Sequence, residues 1–289
     1  IGYPGGCSIG KRPIDLHLMA LRSLGAEIHE TEDYLDAECN RFYAKEIFFS
    51  KSSVGATQQA VLAATQADGI SYLHNCAKEP EVFWLCRYLR MMGAMIEGEE
   101  TGEIRIQGVS ELGPGDYEIP PDRIVAGTYI CAAAAARSEI TLQNVPTEEL
   151  EAFLEVYQKM GGQYEANSGT LEVNGKKAVR PVSLVKTGTY PGFPTDLQAP
   201  LMAVLAGIPG QRVIRERIFE RRFGSAFQMN KMGADIRING DMAVISGGRP
   251  LTGMQVQAGD LRGGAALIIA ALIAEGETCI AEAGFINRG

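Results

Sequence analysis

The chain has 289 residues, with 27 lysines and arginines against 35 aspartates and glutamates, a formal net charge of −8 and an isoelectric point near 5.1. That balance excludes broad, sequence-independent binding of nucleic acid, which relies on many cations to neutralise phosphates. A composition of 46% hydrophobic and 21% charged residues excludes a disordered chain, and at about 150 residues per domain the length suggests two domains.

Gly5, Gly6 and Gly10 predict a surface loop around Cys7, and the Arg12–Pro13 step after it reads as a helix start. That first helix closes at Gly25 in LRSLGAEIHE, and a strand follows. Ser53 opens a small, apolar helix in SSVGATQQAVLAATQADGISYL. Glu79 and Glu81 begin a third helix, where acidic side chains suit the dipole; Val82, Leu85, Cys86, Leu89 and Met92 share one of its faces and Gly93 closes it. The proline pair at 120–121 marks a domain boundary ahead of Asp122, which opens PDRIVAGTYICAAAAARSEITL. An amphipathic helix with Leu150, Phe153, Leu154, Tyr157 and Met160 on one face ends at Gly161, and the NSGT corner at 167–170 reads as a hairpin. Asp196 opens PTDLQAPLMAVLAGIPGQRVI, Gly233 closes MNKMGADIRI, and 239–241 forms a second hairpin corner. Asp260 opens GDLRGGAALIIAALIAEGETCI, where Gly263 and Gly264 loosen the helix start. The apolar run inside it, 265–274, is too short to span a bilayer, which takes about 17–25 residues.

Two helix types therefore alternate. The amphipathic ones close at Gly25, Gly93, Gly161 and Gly233, spaced by 68, 68 and 72 residues. The others are nearly apolar all round and should be buried at the centre of a domain. Each unit reads strand–helix–strand–helix–hairpin over about seventy residues, which is longer than common solenoid repeats and implies compact α/β domains with helices inside and sheets outward. The six cysteines (Cys7, Cys39, Cys76, Cys86, Cys131, Cys279) contain no C-x-x-C pair, and His17, His29 and His74 form no ligand motif, so metal is not expected. The cysteines read as reduced thiols, those other than Cys7 as small core hydrophobes; His17 reads as a core or hinge residue.

GGCSIGKRPIDLH, SKSSVGAT, NCAKEPE, PDRIVAGT, FPTDLQA, FERRF, GDLRGGAALIIAALIAEG and INRG, in that order, resemble the UDP-N-acetylglucosamine 1-carboxyvinyltransferases, a family of enolpyruvyl transferases. The resemblance implies a two-domain inside-out α/β barrel built of ~70-residue βαβαββ repeats, with residues 1–120 forming part of the first domain and 121–289 most of the second. Six units would give about 420 residues, so 289 correspond to about four. The resemblance implies a longer chain, with an N-terminal stretch carrying a Lys-Asn pair and an arginine, and a short C-terminal tail.

The implied reaction moves the enolpyruvyl group of phosphoenolpyruvate to the 3-hydroxyl of UDP-N-acetylglucosamine and releases phosphate, the opening step of peptidoglycan synthesis, in the cytoplasm and without metal or organic cofactor. On the residues alone each candidate also has an ordinary structural reading: a loop cysteine, serine and aspartate N-caps, surface arginines. By resemblance Cys7, whose thiolate Lys11 and Arg12 would favour, matches the proton donor, and Asp196 matches the general base. Arg12, Pro13, Ile14, Asp15 and Leu16 match one UDP-sugar segment; Lys51, Ser52, Ser53 and Val54 match a second on the diphosphate side; Ile218 matches a further contact. Arg12, Arg222, Arg262 and Arg288, with Asp260 beside them, match the phosphoenolpyruvate site, where a phosphate and a carboxylate require several guanidiniums. Arg221 reads as a surface residue. The sister transferase acting on shikimate 3-phosphate, a silent UDP-sugar-binding paralogue and a nucleic-acid-processing relative of similar fold are the competing readings; Cys7 and the RPIDL segment oppose the first, and the acidic balance the last.

Overall fold

The computed structural model describes residues 1–3, 13–180 and 182–288, and the chain forms two compact units that meet in sequence at Pro120–Pro121. In the N-terminal unit, α1 (Asp15–Ser23) leads into a two-stranded antiparallel ribbon of β1 (Glu27–Glu30) and β2 (Leu35–Glu38). Then come β3 (Glu46–Phe48), α2 (Val54–Ala64), β4 (Ile70–His74), α3 (Pro80–Met91), β5 (Met95–Glu97) and β6 (Ile104–Gln107). These strands form one sheet in the order β3-β4-β6-β5, with β3 parallel to β4 and the other pairs antiparallel. Strands alternate: Ile47, Leu73, Ile96, Ile104 and Ile106 point inward against α1, α2 and α3, and their neighbours point outward.

The C-terminal unit opens with α4 (Arg123–Ala135), β7 (Glu139–Leu142), α5 (Glu151–Lys159) and the hairpin of β8 (Gln163–Asn167) and β9 (Thr170–Asn174), giving a three-stranded sheet β7-β9-β8. It continues with β10 (Leu184–Lys186), α6 (Gln198–Ala206), β11 (Gly210–Arg215), α7 (Gly224–Lys231), β12 (Ile236–Asn239) and β13 (Met242–Gly247). Their sheet, β10-β11-β13-β12, repeats the order and senses of the N-terminal one. Last come β14 (Leu251–Thr252), β15 (Gln255–Gln257), α8 (Leu261–Leu272), β16 (Ala274–Glu275) and β17 (Cys279–Ala281), which pair as β14-β16 and β15-β17. The fold is α/β with separate open sheets; no closed barrel forms among the described residues.

All four amphipathic helices end alike. At α1 the amide of Gly25 donates to Arg22 O and that of Ala26 to Leu21 O; Gly93/Ala94, Gly161/Gly162 and Gly233/Ala234 repeat the pair of bonds, each with glycine at φ between +91° and +109°. This left-handed closure satisfies the last helical carbonyls and turns the chain into the next strand.

The apolar helices pack on one another: α4, α6 and α8 make mutual contacts in the C-terminal unit, and α2 lies between α1 and α3 in the N-terminal one. Burial all round holds only for α6, enclosed by α4, α8, β11 and β13; Leu62 of α2, Tyr129 of α4, and Ile268 and Leu272 of α8 are exposed. Two further expectations are corrected. Cys76, Cys86 and Cys131 are buried, where desolvation pushes the first two thiols up to about 12 and the third higher still, but Cys39 and Cys279 are exposed: Cys39 lies just past the end of β2, and Cys279 takes an outward position of β17 while the next residue, Ile280, packs on the core. The start of α8 is tight rather than loose: a Cβ at Gly263 would meet Asp260 Oδ2 at 2.7 Å, and one at Gly264 would meet Ile286 at 2.8 Å.

Candidate functional site

Three apolar helices begin with a polar cap whose backbone geometry is extended. Ser53 Oγ accepts from Ala56 N at the start of α2, Asp122 Oδ1 accepts from Ile124 N and Val125 N at α4, and Asp260 Oδ1 accepts from Arg262 N and Gly263 N at α8. Asp196 departs from this expected N-cap role. It sits inside a 3₁₀ turn, Thr195–Leu197, that precedes α6, and its carboxylate caps nothing. Both of its oxygens instead face guanidiniums: Arg222 Nη2 donates to Oδ1, and Arg262 Nη2 donates to Oδ2 at 3.5 Å.

The clamp brings together three of the sequence-derived residues, one from each of three elements: the turn before α6, the loop before α7 and the first turn of α8. Arg222 is 4% exposed, its Cζ lies 5.3 Å from the centre of the Phe219 ring, and its Nε is buried without a hydrogen-bond partner. Arg262 is largely buried, whereas Asp196 is 38% exposed and reachable from solvent. A desolvated guanidinium with an unmet donor is a strong anion-binding group, because water contributes little competing solvation there. Asp260 is buried one residue from Leu261 at the head of α8, where its cap bonds orient Arg262.

Glu216, beside this cluster, is a buried carboxylate that sequence reasoning missed. It is 4% exposed; Oε2 accepts from Thr195 Oγ1 at 2.9 Å, and Oε1 accepts from Ile218 N and Phe219 N at 2.8 and 3.1 Å. Glu216 stands in the charge-dense run ERIFERRF, and nothing in the pattern of that run singles out its one buried carboxylate. Ile218 is held there with its side chain 36% exposed, and Arg221 is exposed as expected.

In the N-terminal unit the structure brings the two expected UDP-sugar segments together through α1 and α2. A Cβ on Gly55 would stand only 2.8 Å from His17 Nε2, so the start of α1 lies against the start of α2. Burial holds the His17 imidazole below its ordinary pKa, against the opposing charge of Asp15. Pro13 and Asp15 are exposed and Ile14 is half-buried, but the Leu16 side chain is in the core and leaves only its backbone for a ligand. Lys51 is exposed and makes no ion pair among the described residues; Ser52 and Val54 are half-buried beside the Ser53 cap. Cys7 and Arg12 lie outside the described residues, as does the side chain of Arg288. Among the described residues no cluster of His, Cys, Asp or Glu could hold a metal ion, and no helix is long and apolar enough to cross a membrane.

A profile of the EPSP synthase (3-phosphoshikimate 1-carboxyvinyltransferase) family matches residues 1–289. The chain is 45% identical over 289 residues to UDP-N-acetylglucosamine 1-carboxyvinyltransferase 2 of Caldanaerobacter subterraneus subsp. tengcongensis, and 43% identical to UDP-N-acetylglucosamine 1-carboxyvinyltransferase 2 of Clostridium tetani; each comparison covers 100% of this chain and 69% of the relative. Among solved structures it is similar to the enolpyruvyl transferase NikO from Streptomyces tendae, with a TM-score of 0.84 at 23% identity over 96% of this chain and 69% of that one. At that identity the likeness shows the fold.

Proposed function

Because the chain belongs to the EPSP synthase family, we propose that it is an enolpyruvyl transferase that joins the enolpyruvyl group of phosphoenolpyruvate to the 3-hydroxyl of UDP-N-acetylglucosamine and releases phosphate, a step of peptidoglycan synthesis. The choice of the UDP-sugar is supported by the 43–45% identical relatives of that name. We also assign the chain the family's inside-out α/β barrel of ~70-residue units, with residues 1–120 in a first domain and 121–289 in a second; the shared order of the two four-stranded sheets supports this. Assignment to the cytoplasm rests on the family alone.

The observation that carries the chemistry is Asp196 held between Arg222 and Arg262. Phosphoenolpyruvate brings a phosphate and a carboxylate, and these compete with Asp196 for the two guanidiniums. Once the arginines hold the substrate, a carboxylate oxygen of Asp196 is released to accept the proton of the sugar hydroxyl. The sugar oxygen then bonds to C2 of phosphoenolpyruvate while Cys7 delivers a proton to the methylene carbon, C3. In the elimination that follows, C3 loses a proton, the C2–O bond to phosphate breaks and the vinyl ether remains. By the family resemblance Arg12 and Arg288 match further anion-binding arginines, and residues 13–16, 51–54 and Ile218 match contacts to the UDP-sugar. Asp260 acts by holding the first turn of α8, and so Arg262, in place.

The test is Asp196→Asn in the full-length protein. Loss of the base should lower the rate of phosphate release at least about 100-fold, while the neutral side chain leaves both arginines to the substrate, so phosphoenolpyruvate binds no more weakly than to the wild type. A rate within threefold of wild type would remove Asp196 from the chemistry.

A further inference from the structure

We propose that Glu216 is a positioning residue for this transfer, one that locks the segment carrying Asp196 to the loop carrying Ile218 and Phe219. The inference rests on the function proposed above. Glu216 directly follows β11, and its own amide donates to Asp241 O at 2.8 Å, so its backbone is tied to the end of the sheet. From there its carboxylate spans two segments: one oxygen takes the hydroxyl of Thr195, the residue before Asp196, and the other takes the amides of Ile218 and Phe219. The loop is pinned a second time at Thr187, 1% exposed, whose Oγ1 accepts from Arg217 N at 2.8 Å.

All three donors to Glu216 are neutral, and no cation lies within ion-pair reach of it among the described residues. A buried carboxylate in that setting costs more than an apolar side chain of the same size would, so stability alone does not account for it. What the charge supplies is strength and direction: hydrogen bonds to an ionised acceptor are about twice as strong as neutral ones. Both segments it joins end in one half of the clamp. Thr195 precedes Asp196, and Phe219 carries the ring over which Arg222 lies. Glu216 thereby sets the distance between the base and the guanidinium that must exchange it for substrate. Misplacement by about 1 Å at such a site costs on the order of 100-fold in rate.

The experiment measures phosphate release by the full-length protein with UDP-N-acetylglucosamine as acceptor, per folded site, for wild type, Glu216→Gln, Glu216→Ala, Thr195→Val and the double variant Thr195→Val/Glu216→Ala. Glu216→Ala should lower kcat about 100-fold with KM for phosphoenolpyruvate changed by less than threefold. Glu216→Gln keeps a carbonyl for the two amides and should lose about 10-fold, as should Thr195→Val, which keeps the volume and loses the hydroxyl. The double variant should be no slower than Glu216→Ala, because both changes cut the same tie. A purely structural role would lower the melting temperature and the folded fraction but leave kcat per folded site within twofold of wild type; that result, or multiplicative losses in the double variant, overturns the proposal. Should Glu216→Ala fail to fold, the Gln and Thr195→Val variants decide alone. A wild-type enzyme without turnover overturns the parent reading and this one with it, whereas an active wild type with unaffected variants overturns only the role of Glu216.

Discussion

Asp196 and Asp260 stand in the same sequence setting, an aspartate ahead of an apolar helix, yet they perform different work. Asp260 lies one residue before α8 in extended conformation and spends one oxygen on two amides. Asp196 is drawn inside a 3₁₀ turn, where the next amides are already taken by backbone carbonyls (Leu197 N by Pro194 O, Gln198 N by Thr195 O), and its oxygens turn to Arg222 and Arg262. A different charged residue, His74, yields a pH prediction. Its Nε2 pairs with Glu46 at 3.0 Å, its Nδ1 pairs with Glu103, and the ring stacks on Phe48 at 4.2 Å. Burial works to lower its pKa, but the hydrogen bonds to Glu103 and Glu46 and their charges outweigh it, and the net shift is upward. A His with a raised folded-state pKa contributes stability that is complete below its unfolded value of about 6.5 and is lost as pH rises through the folded one. The urea midpoint should therefore fall as pH is raised from 6.5 toward 8, and His74→Gln should flatten that slope; a wild-type midpoint independent of pH over this range contradicts the assignment.

At the scale of elements, the four glycine closures share bond pattern and φ but differ in surroundings. A Cβ on Gly93 would meet nothing within 4 Å, whereas one on Gly161 would stand 2.5 Å from Lys177 O. Gly93→Ala should cost about 1–2 kcal/mol, the strain of an L-residue in left-handed backbone. Gly161→Ala should cost more, since a backbone oxygen must also move; urea unfolding measures both. Equal losses would mean that the segment around Lys177 yields freely. These closures were legible in the sequence because a glycine behind a 3.6-residue apolar period has one physical use. The tight start of α8 was not, since whether Gly263 loosens a helix or makes room for Asp260 Oδ2 depends on where a cap side chain points.

For the whole molecule, alternation of apolar and amphipathic helices was enough to read an α/β chain with helices packed on helices, as the contacts among α4, α6 and α8 bear out. Exposure was read less well. Cys39 and Cys279 look like core residues by type, but Cys39 falls just outside β2, and Cys279 has the outward register on β17 while Ile280 takes the inward one. Glu216 escaped for the opposite reason: a charged residue in a charged run looks exposed, and only the folded loop shows it buried with three donors. The clamp residues were found through their motifs, while the meeting of Asp196 with Arg222 and Arg262 required the packing of α6, α7 and α8. Every role assigned to these residues depends on the reaction. The measurement that tests it most directly is phosphate release from phosphoenolpyruvate by the full-length protein, with UDP-N-acetylglucosamine and shikimate 3-phosphate as alternative acceptors and Cys7→Ala alongside. Turnover with the UDP-sugar alone, lost in Cys7→Ala, is the expected result; turnover with shikimate 3-phosphate, or a folded protein silent with both acceptors, would contradict it.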